Sequence, residues 1–111
     1  MVSKECVFCK IVAGALPAHV IAQDEDVVVI KDINPRAPIH YLILPKKHVA
    51  DLGRLEAGDH KLAGSLLMMA AKLSHQEPEA REFRLVSNNG ATAGQVVFHV
   101  HLHFLAGKEF S

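Results

Sequence analysis

The chain has 111 residues, of which 50% are hydrophobic and 22% are charged, with seven glycines and five prolines. This length and composition predict one globular domain over residues 1–111 and exclude a disordered or collagenous chain. Twelve Lys and Arg residues balance twelve Asp and Glu residues, so the formal net charge is zero with histidine neutral. Because proteins that bind phosphate backbones normally carry a basic excess, we expect no nucleic-acid partner.

The first residues and the apolar runs predict a cytoplasmic protein with no membrane partner. The segment from Met1 to Lys10 carries charged side chains and has no apolar stretch of signal-peptide length. The longest apolar run, Leu66 to Ala71, is much shorter than the roughly 20 residues that cross a bilayer. In the cytoplasm the two cysteines are expected to be metal ligands or reactive thiols rather than a disulfide.

The first half of the chain predicts a helix followed by three strands. Residues 3–13 can form a short helix, with Ser3 as its N-cap and Gly14 as its C-terminal stop. The predicted strands of this half are 19–23, 27–32 and 40–44. An acidic turn joins the first two strands into a hairpin, and the β-branched run from Val27 to Ile30 suits a strand that is buried on both faces.

The second half of the chain predicts a long amphipathic helix and two more strands. Between Glu56 and Gln76, apolar residues recur at helical spacing and form one face. This face consists of Leu62, Leu66, Met69, Ala70 and Leu73. Strands are predicted at 83–87 and 96–105, the latter being the last and longest. Since the strands follow one another without helical crossovers, we predict an α+β fold with a five-stranded antiparallel sheet and the helices packed on one side.

Three histidines alternate with apolar residues in the last predicted strand. Because side chains alternate between the faces of a strand, His99, His101 and His103 are expected on one face and their apolar neighbours in a core. Imidazole suits nucleophilic and general-acid chemistry near neutral pH, and its nitrogen can attack phosphorus to form a phosphoramidate. The pattern favours a catalytic site for an anionic ligand, with a solvated strand face or a set of three metal ligands as alternatives.

The loop before this strand contains groups that could bind a phosphate. Gly90 and Gly94 allow backbone N–H groups to approach an anion closely, and Asn88 and Gln95 supply amide donors near them. Such glycine-rich loops are common, so the loop strengthens the histidine pattern rather than predicting a phosphate site by itself.

These motifs resemble the histidine triad (HIT) family, and the resemblance covers nearly the whole chain. The matching segments are 6–12, 32–35, 38–48, 93–95 and 99–105. The sequence is most similar to the small Hint-like branch, and within it to bacterial members with an N-terminal Cys-x-x-Cys motif. The resemblance implies a HIT-like fold, with a short N-terminal helix and one long amphipathic helix, and a homodimer formed through the long helix and a neighbouring strand.

The resemblance also implies a nucleotide hydrolase that acts through a covalent nucleotidyl-histidine intermediate. His101 matches the residue that attacks the α-phosphorus, and His103 matches the residue that contacts the phosphate and helps the leaving group depart. His40 matches a histidine near the nucleophile, and His99 is the first member of the triad.

A nucleotide pocket is implied by position as well. Asp32 matches an acidic residue that holds the ribose hydroxyls. The apolar residues that match the base and sugar pocket are Phe8, Ile11, Ile30, Ile33 and Leu42. Asn88, Gly94 and Gln95 match positions on the phosphate side, beside His101 and His103. The sequence departs from the family pattern at Val96, where a small hydroxyl residue is common, and the segment after Gly107 is shorter than in many relatives.

Cys6 and Cys9 have the spacing of half a zinc site. By itself the pair could also be redox-active or two buried thiols, although no strand leads into it as in a thioredoxin-like motif. In similar HIT proteins the other two ligands match His48 and His99, so the resemblance implies a structural zinc on these four residues. The remaining histidines, His19, His60 and His75, are expected on the surface.

The expected function is hydrolysis of purine nucleoside phosphoramidates to AMP and an amine. Hydrolysis of dinucleoside polyphosphates such as diadenosine tetraphosphate is an alternative, although Arg36 and Lys46 are the only cations that the sequence suggests near the triad. A nucleotide-binding regulatory module with incidental turnover, and a protein that handles zinc, are alternatives from other classes.

Overall fold

The computed structural model describes residues 6–110. Its helices and strands are α1 (Val7–Val12), β1 (Val20–Gln23), β2 (Val27–Lys31), β3 (Ile39–Pro45), α2 (His60–Ser74), β4 (Phe83–Val86) and β5 (Leu102–Ala106). The strands form one sheet in the order β1-β2-β3-β5-β4, and all neighbouring strands are antiparallel. The predicted α+β class and five-stranded antiparallel sheet are confirmed.

β2 and β3 are neighbouring strands of the sheet, and most of their residues are buried. Val27 to Ile30 are all buried, as predicted for a strand that is covered on both faces. Burying a valine or isoleucine side chain contributes about 1.5–3 kcal/mol, so this short run makes a large contribution to the stability of the sheet. β3 is buried along its length except at Tyr41.

The two helices pack on opposite faces of the sheet, which corrects the prediction that they share one side. The apolar face of α2 packs against Val27, Val29 and Phe104. Phe8 of α1 packs with Val28 and Ile30, the residues that alternate with them on β2. Because β2 is apolar at every position from Val27 to Ile30, both of its faces need a covering helix.

The last strand is shorter than the predicted 96–105. β5 spans five residues, Leu102–Ala106, and the seven-residue β3 is the longest strand. Before β5 the chain leaves the ladder, since the His99 N–H donates to the Val97 carbonyl at 3.0 Å and the Val100 N–H donates to the Val49 carbonyl at 2.7 Å. The alternation survives this irregularity, except that Phe98 is exposed rather than in the core.

The long helix begins four residues later than the predicted 56–76 and ends at Ser74. Residues Ala57–Asp59 form a 3-10 turn, and the Glu56 N–H donates to the Asp59 carboxylate at 2.9 Å in a capping box. All five residues of the predicted apolar face are buried. Within residues 6–110, no helix is long and apolar enough to cross a membrane.

Cys6 is the N-cap of α1, and its Sγ accepts a hydrogen bond from the Cys9 N–H at 3.3 Å. Gly14 follows the helix with φ +80°, a left-handed conformation that suits glycine and ends the helix as predicted. The predicted N-cap, Ser3, lies outside the described residues.

Candidate active site and metal centre

A cleft of about 610 Å³ opens on the α1 face of the sheet, a volume in the range of nucleotide-sized ligand pockets. Its walls are mainly apolar, with polar groups at one end. The lining residues are Val7, Phe8, Ile11, Ile30, Lys31, Asp32, Ile33, Asn34, Arg36, Leu42, Val96, Val97, His101 and His103. The structure therefore brings together all of the predicted nucleotide-binding residues except Asn88, Gly94 and Gln95.

Strand register accounts for how distant segments meet in this cleft. Ile30 on β2 is paired with Leu42 on β3, and Leu42 is paired with His103 on β5. Directly paired residues of antiparallel strands project to the same face, so these three side chains form one row across the sheet. The row runs from the apolar wall of the cleft to the histidine end.

His101 is held in one tautomer by the backbone. Its Nδ1 lies 2.8 Å from the carbonyl oxygen of His99, and a carbonyl can only accept. Nδ1 therefore carries the proton, and the lone pair of Nε2 is available at the wall of the cleft. The edge of Phe8 packs against the ring at 5.1 Å between centroids and limits its rotation.

His103 is connected to His40 through a chain of hydrogen bonds. The backbone N–H of Arg36 donates to Nδ1 of His40 at 3.0 Å, so the proton of neutral His40 is on Nε2. That Nε2 lies 3.0 Å from Nδ1 of His103, and Nη2 of Arg36 lies 3.5 Å from the same atom. With donors around its Nδ1, His103 carries its own proton on Nε2.

Burial keeps both of these histidines neutral. Desolvation, followed by repulsion from His101, His40 and Arg36, lowers the pKa of His103 to about 4. Desolvation also lowers the pKa of His40, although the carboxylate of Asp32 opposes this shift. At neutral pH, His103 is therefore a neutral hydrogen-bond donor rather than a cation.

Asp32 lies directly after β2, at the polar end of the cleft. Its Oδ1 accepts from the Asn34 N–H at 2.8 Å, and its Oδ2 lies 3.3 Å from Nε2 of His40. Asp32, His40 and His103 are close enough to hold a metal ion. Nε2 of His40 contacts both Asp32 and His103, so a proton shared through His40 accounts for their proximity.

The three residues predicted on the phosphate side do not line the cleft. Asn88 lines a neighbouring pocket rather than the cleft itself. The side chain of Gln95 is buried, and its amide donates to the carbonyls of Ala50 at 2.6 Å and Val97 at 3.0 Å. Gly94 has φ +97°, which ends the turn before Gln95. These hydrogen bonds of Gln95 fix the position of the loop before the histidine segment. The roles of Asn88, Gly94 and Gln95 as phosphate ligands stay predictions.

A second constellation lies at the other end of the histidine segment, where Cys6, Cys9, His48 and His99 could hold a metal ion. Nδ1 of His99 lies 3.3 Å from Sγ of Cys6 and 3.5 Å from Sγ of Cys9. Nδ1 of His48 lies 3.2 Å from Sγ of Cys9 and 3.2 Å from Nδ1 of His99. Tetrahedral zinc has S···N and N···N ligand separations of about 3.6 and 3.3 Å, so the donor set fits this ion.

The protonation of His99 agrees with this fit. Its Nε2 lies 2.8 Å from the carbonyl of Pro45, so Nε2 carries the proton and Nδ1 presents a lone pair to the two sulfur atoms. Burial lowers the pKa of His99, which favours the neutral form that binds metals. Burial raises the pKa of the Cys6 thiol, so a cation at the centre would be needed to stabilise its thiolate.

Comparison with known proteins agrees with this geometry, because the HIT domain model matches residues 13–110. The chain belongs to the HIT family. It is 41% identical to an uncharacterised HIT-like protein of Synechocystis over 98% of this chain and 96% of that protein.

Solved structures of HIT proteins are similar to this HIT-family chain along almost its entire length. A HIT family hydrolase from Legionella pneumophila is 39% identical, with a TM-score of 0.91 and 96% of each chain covered. A histidine triad protein from Clostridium difficile is 33% identical, with a TM-score of 0.94, covering 100% of this chain and 97% of that one. A HIT family hydrolase from Clostridium thermocellum is 39% identical, with a TM-score of 0.93 and coverage of 98% and 96%.

The exposure of two apolar side chains at the cleft was not predicted from the sequence of this HIT-family chain. Ile33 and Val96, with 91% and 84% of their surface exposed, stand at the rim of the cleft and present apolar side chains to whatever binds there. Arg36 lies beside His103, whereas Lys46 lines a separate cleft near Lys61. The sequence suggested both of these cations near the triad, and of the two the structure places Arg36 there.

Proposed function

We propose that this HIT-family chain is a hydrolase of purine nucleoside phosphoramidates, releasing AMP and an amine. The observation that carries the proposal is the hydrogen bond from Nδ1 of His101 to the carbonyl of His99, which leaves Nε2 as a free nucleophile in the cleft. The similar structures named as hydrolases support hydrolysis as the reaction class.

In the first step, Nε2 of His101 attacks the α-phosphorus and forms a P–N bond to the enzyme. The bond from phosphorus to the substrate nitrogen breaks, and its electron pair leaves with the amine. An amine is a poor leaving group until it is protonated, so a positioned proton donor lowers the barrier. The proton on Nε2 of His103 is suitably placed, since both histidines line the same cleft.

The chain of hydrogen bonds behind His103 prepares it for this donation. The anionic phosphoryl group of a bound substrate favours protonation of the pair formed by His103 and His40, whose facing nitrogens are 3.0 Å apart, so the pair takes up one proton together with the substrate. The carboxylate of Asp32, 3.3 Å from His40, stabilises this positive charge, and donation from Nε2 of His103 to the amine returns the pair to its neutral state. These residues thus hold and move a proton without contacting the phosphorus.

In the second step, water attacks the phosphorus of the nucleotidyl-histidine. The P–N bond to His101 breaks, Nε2 recovers its lone pair, and AMP is released. The water proton passes to His103 and is released when AMP leaves, so the enzyme regains its starting state. Two displacements at one phosphorus replace a single difficult one, which is the advantage of covalent catalysis.

The apolar part of the cleft fits a nucleoside. Phe8, Ile11, Ile30 and Leu42 offer a surface of suitable size for a purine. We propose that Asp32, at the polar end of this wall, accepts hydrogen bonds from the ribose hydroxyls.

The metal centre is proposed to be a structural zinc site, which would tie α1 to the end of β3 and to the segment before His101. It would not enter the reaction, because its four ligands leave no open position for substrate. The two cysteines are free thiols, and such a pair suits the proposed cytoplasmic location.

A homodimer is proposed on two observations. β4 is an edge strand, so its outer side can pair with a second copy to give a ten-stranded sheet. On α2, Leu67 and Met68 are 61% and 69% exposed, which leaves apolar surface for a partner to cover. Light scattering tests the assembly, and a monomer at micromolar concentration would contradict it.

The proposed function is tested by a side-by-side assay of adenosine phosphoramidate and diadenosine tetraphosphate, with His101→Ala as the blank. We expect preference for the phosphoramidate by about a hundredfold in kcat/KM, which corresponds to about 3 kcal/mol of differential transition-state binding. Preference for the tetraphosphate would instead indicate a polyphosphate hydrolase. Tight AMP binding without turnover of either substrate would indicate a regulatory module.

A further inference from the structure

Arg36 contacts both members of the pair formed by His40 and His103, through two different groups. Its backbone N–H donates to Nδ1 of His40 at 3.0 Å, and Nη2 of its guanidinium lies 3.5 Å from Nδ1 of His103. The backbone contact depends on the path of the loop before β3 and not on the side chain. The guanidinium places a full positive charge beside an imidazole that lines the cleft.

No carboxylate neutralises this charge. Within residues 6–110, none of the ion pairs includes Arg36. Lys47, in contrast, is paired with Asp59 at 2.7 Å. Asp32 lines the same cleft as Arg36, but its Oδ2 lies 3.3 Å from Nε2 of His40. The charge of the guanidinium therefore acts on the neighbouring imidazole without a compensating anion beside it.

Four charged or titratable side chains act on His103. Desolvation is the largest cause that lowers its pKa, followed by repulsion from His101, His40 and Arg36, whereas the carboxylate of Asp32 raises it. The residue of β4 that pairs with His103 is a valine, and α1 lines the cleft with apolar side chains. Among the repelling groups, the guanidinium is the one that is cationic at every accessible pH.

A charge beside Nδ1 of His103 affects the proton on Nε2, because both nitrogens belong to one ring. In the proposed mechanism, the phosphoryl anion of the substrate brings one proton to the pair of histidines, and the amine receives a proton from Nε2 of His103. A cation near the protonated ring destabilises it and makes it a stronger acid. A stronger acid transfers its proton more readily to the substrate nitrogen as the P–N bond breaks.

We propose that Arg36 is a positioning residue whose charge strengthens His103 as the acid that protonates the leaving amine. The inference rests on the proposed function, in which His103 is that acid. Arg36 acts through Nδ1 of His103, so it needs no contact with the phosphorus or with the amine. The bonds that form and break are unchanged: the proton moves from Nε2 of His103 to the amine, and the pair with His40 becomes neutral.

Two substitutions separate the charge of Arg36 from the shape of its side chain. Arg36→Gln removes the charge, and Arg36→Lys keeps it without the guanidinium. Both variants retain the backbone N–H that contacts His40, and the Arg36 side chain is exposed, so we expect both to fold. The control is Lys72→Gln, which removes an exposed cation from α2, the helix on the opposite face of the sheet.

The first measurement is the pH titration of the His103 ring by NMR in the protein without substrate. We expect Arg36→Gln to raise the pKa of His103 by about one unit from its value of about 4, because a repelling charge is removed. Arg36→Lys should stay close to the wild-type value, since the charge remains. Lys72→Gln should leave the titration unchanged.

The second measurement is the pH dependence of kcat for adenosine phosphoramidate. The rate falls at high pH as the acid loses its proton, so a weaker acid in Arg36→Gln should move this fall about one unit to higher pH. At lower pH, where the acid is protonated, kcat should drop about threefold because the weaker acid donates less readily. A nucleotide ester with an acidic phenol leaves without protonation and should show no such drop.

The outcomes separate this inference from the proposed function. Shifts of the titration and of the pH profile in Arg36→Gln, with wild-type behaviour in Arg36→Lys, support the charge of Arg36 as their cause. An unchanged titration or an unchanged profile in Arg36→Gln overturns the inference and leaves the proposed function standing. Equal shifts in both variants also overturn it, since Arg36→Lys keeps the charge. Absence of phosphoramidate turnover by the wild-type protein overturns both proposals.

Discussion

The two ends of the histidine segment use the same side chain in opposite ways. His99 is fully buried, donates from Nε2 to the Pro45 carbonyl and presents Nδ1 to two thiols. His101, two residues later, donates from Nδ1 to a carbonyl and keeps Nε2 for the cleft. The chemistry of each imidazole is therefore decided by which nitrogen the backbone occupies and what faces the other nitrogen.

Removing the proposed nucleophile should have the largest effect. We expect His101→Ala to lower kcat for adenosine phosphoramidate by a factor of about 10⁴ or more, because His103, the other histidine that lines the cleft, carries its proton on Nε2 and offers no lone pair there. AMP binding should change little, as Asp32 and the apolar wall remain. Steady-state kinetics measures kcat and calorimetry measures AMP binding, with a substitution of the exposed His75, His75→Ala, as the control. Turnover within tenfold of wild type would contradict the nucleophile assignment.

A matching change at the metal end should affect stability instead. Cys9→Ala removes a metal ligand, and we expect the free energy of unfolding to fall by about 4 kcal/mol, with loss of zinc. For a domain of this size that is a fall in Tm of roughly 15 °C or more. Residual activity should persist, since Nε2 of His101 is retained. An unchanged Tm together with unchanged metal content would rule out a structural metal.

Substitution of His103 tests whether it acts as the proton donor, separately from the nucleophile His101. His103→Asn keeps a polar side chain but has no transferable proton, and kcat for the phosphoramidate should fall about 10³-fold. The loss should be much smaller for a nucleotide ester with an acidic phenol, which leaves without protonation. An equal loss for both leaving groups would show that His103 only positions the phosphate.

The burial of His103 predicts a pH effect on stability. Its pKa is about 4 in the folded chain and near 6.5 when unfolded, so the unfolded chain binds more protons between these values. The free energy of unfolding should therefore fall as the pH drops from about 6.5 to about 4, by up to about 3 kcal/mol from this residue. Denaturant titrations measure the slope. The same slope in His103→Asn would show that other groups cause it.

Much of the site could be predicted because its signals are local. His99, His101 and His103 are spaced by two, and the structure keeps Val100, Leu102 and Phe104 in the core opposite them. A solvated histidine face is wrong, since all three histidines are buried. The regular strand predicted for 96–105 is wrong before Leu102, because a hydrogen bond to Val49 replaces the ladder there. Period-two spacing survives in an extended segment whether or not it pairs with a neighbour.

What the sequence determined by itself is the set of reactive residue types and their spacing along the chain: the alternating histidines, the Cys-x-x-Cys pair and the apolar stripe of α2. These depend on short-range periodicity, which the chain carries in every conformation. Only the tertiary structure decided which nitrogen of each histidine is free, on which face α1 packs, and that the guanidinium of Arg36 lies beside Nδ1 of His103. These features come from contacts between segments far apart in the sequence, and no local pattern encodes such contacts.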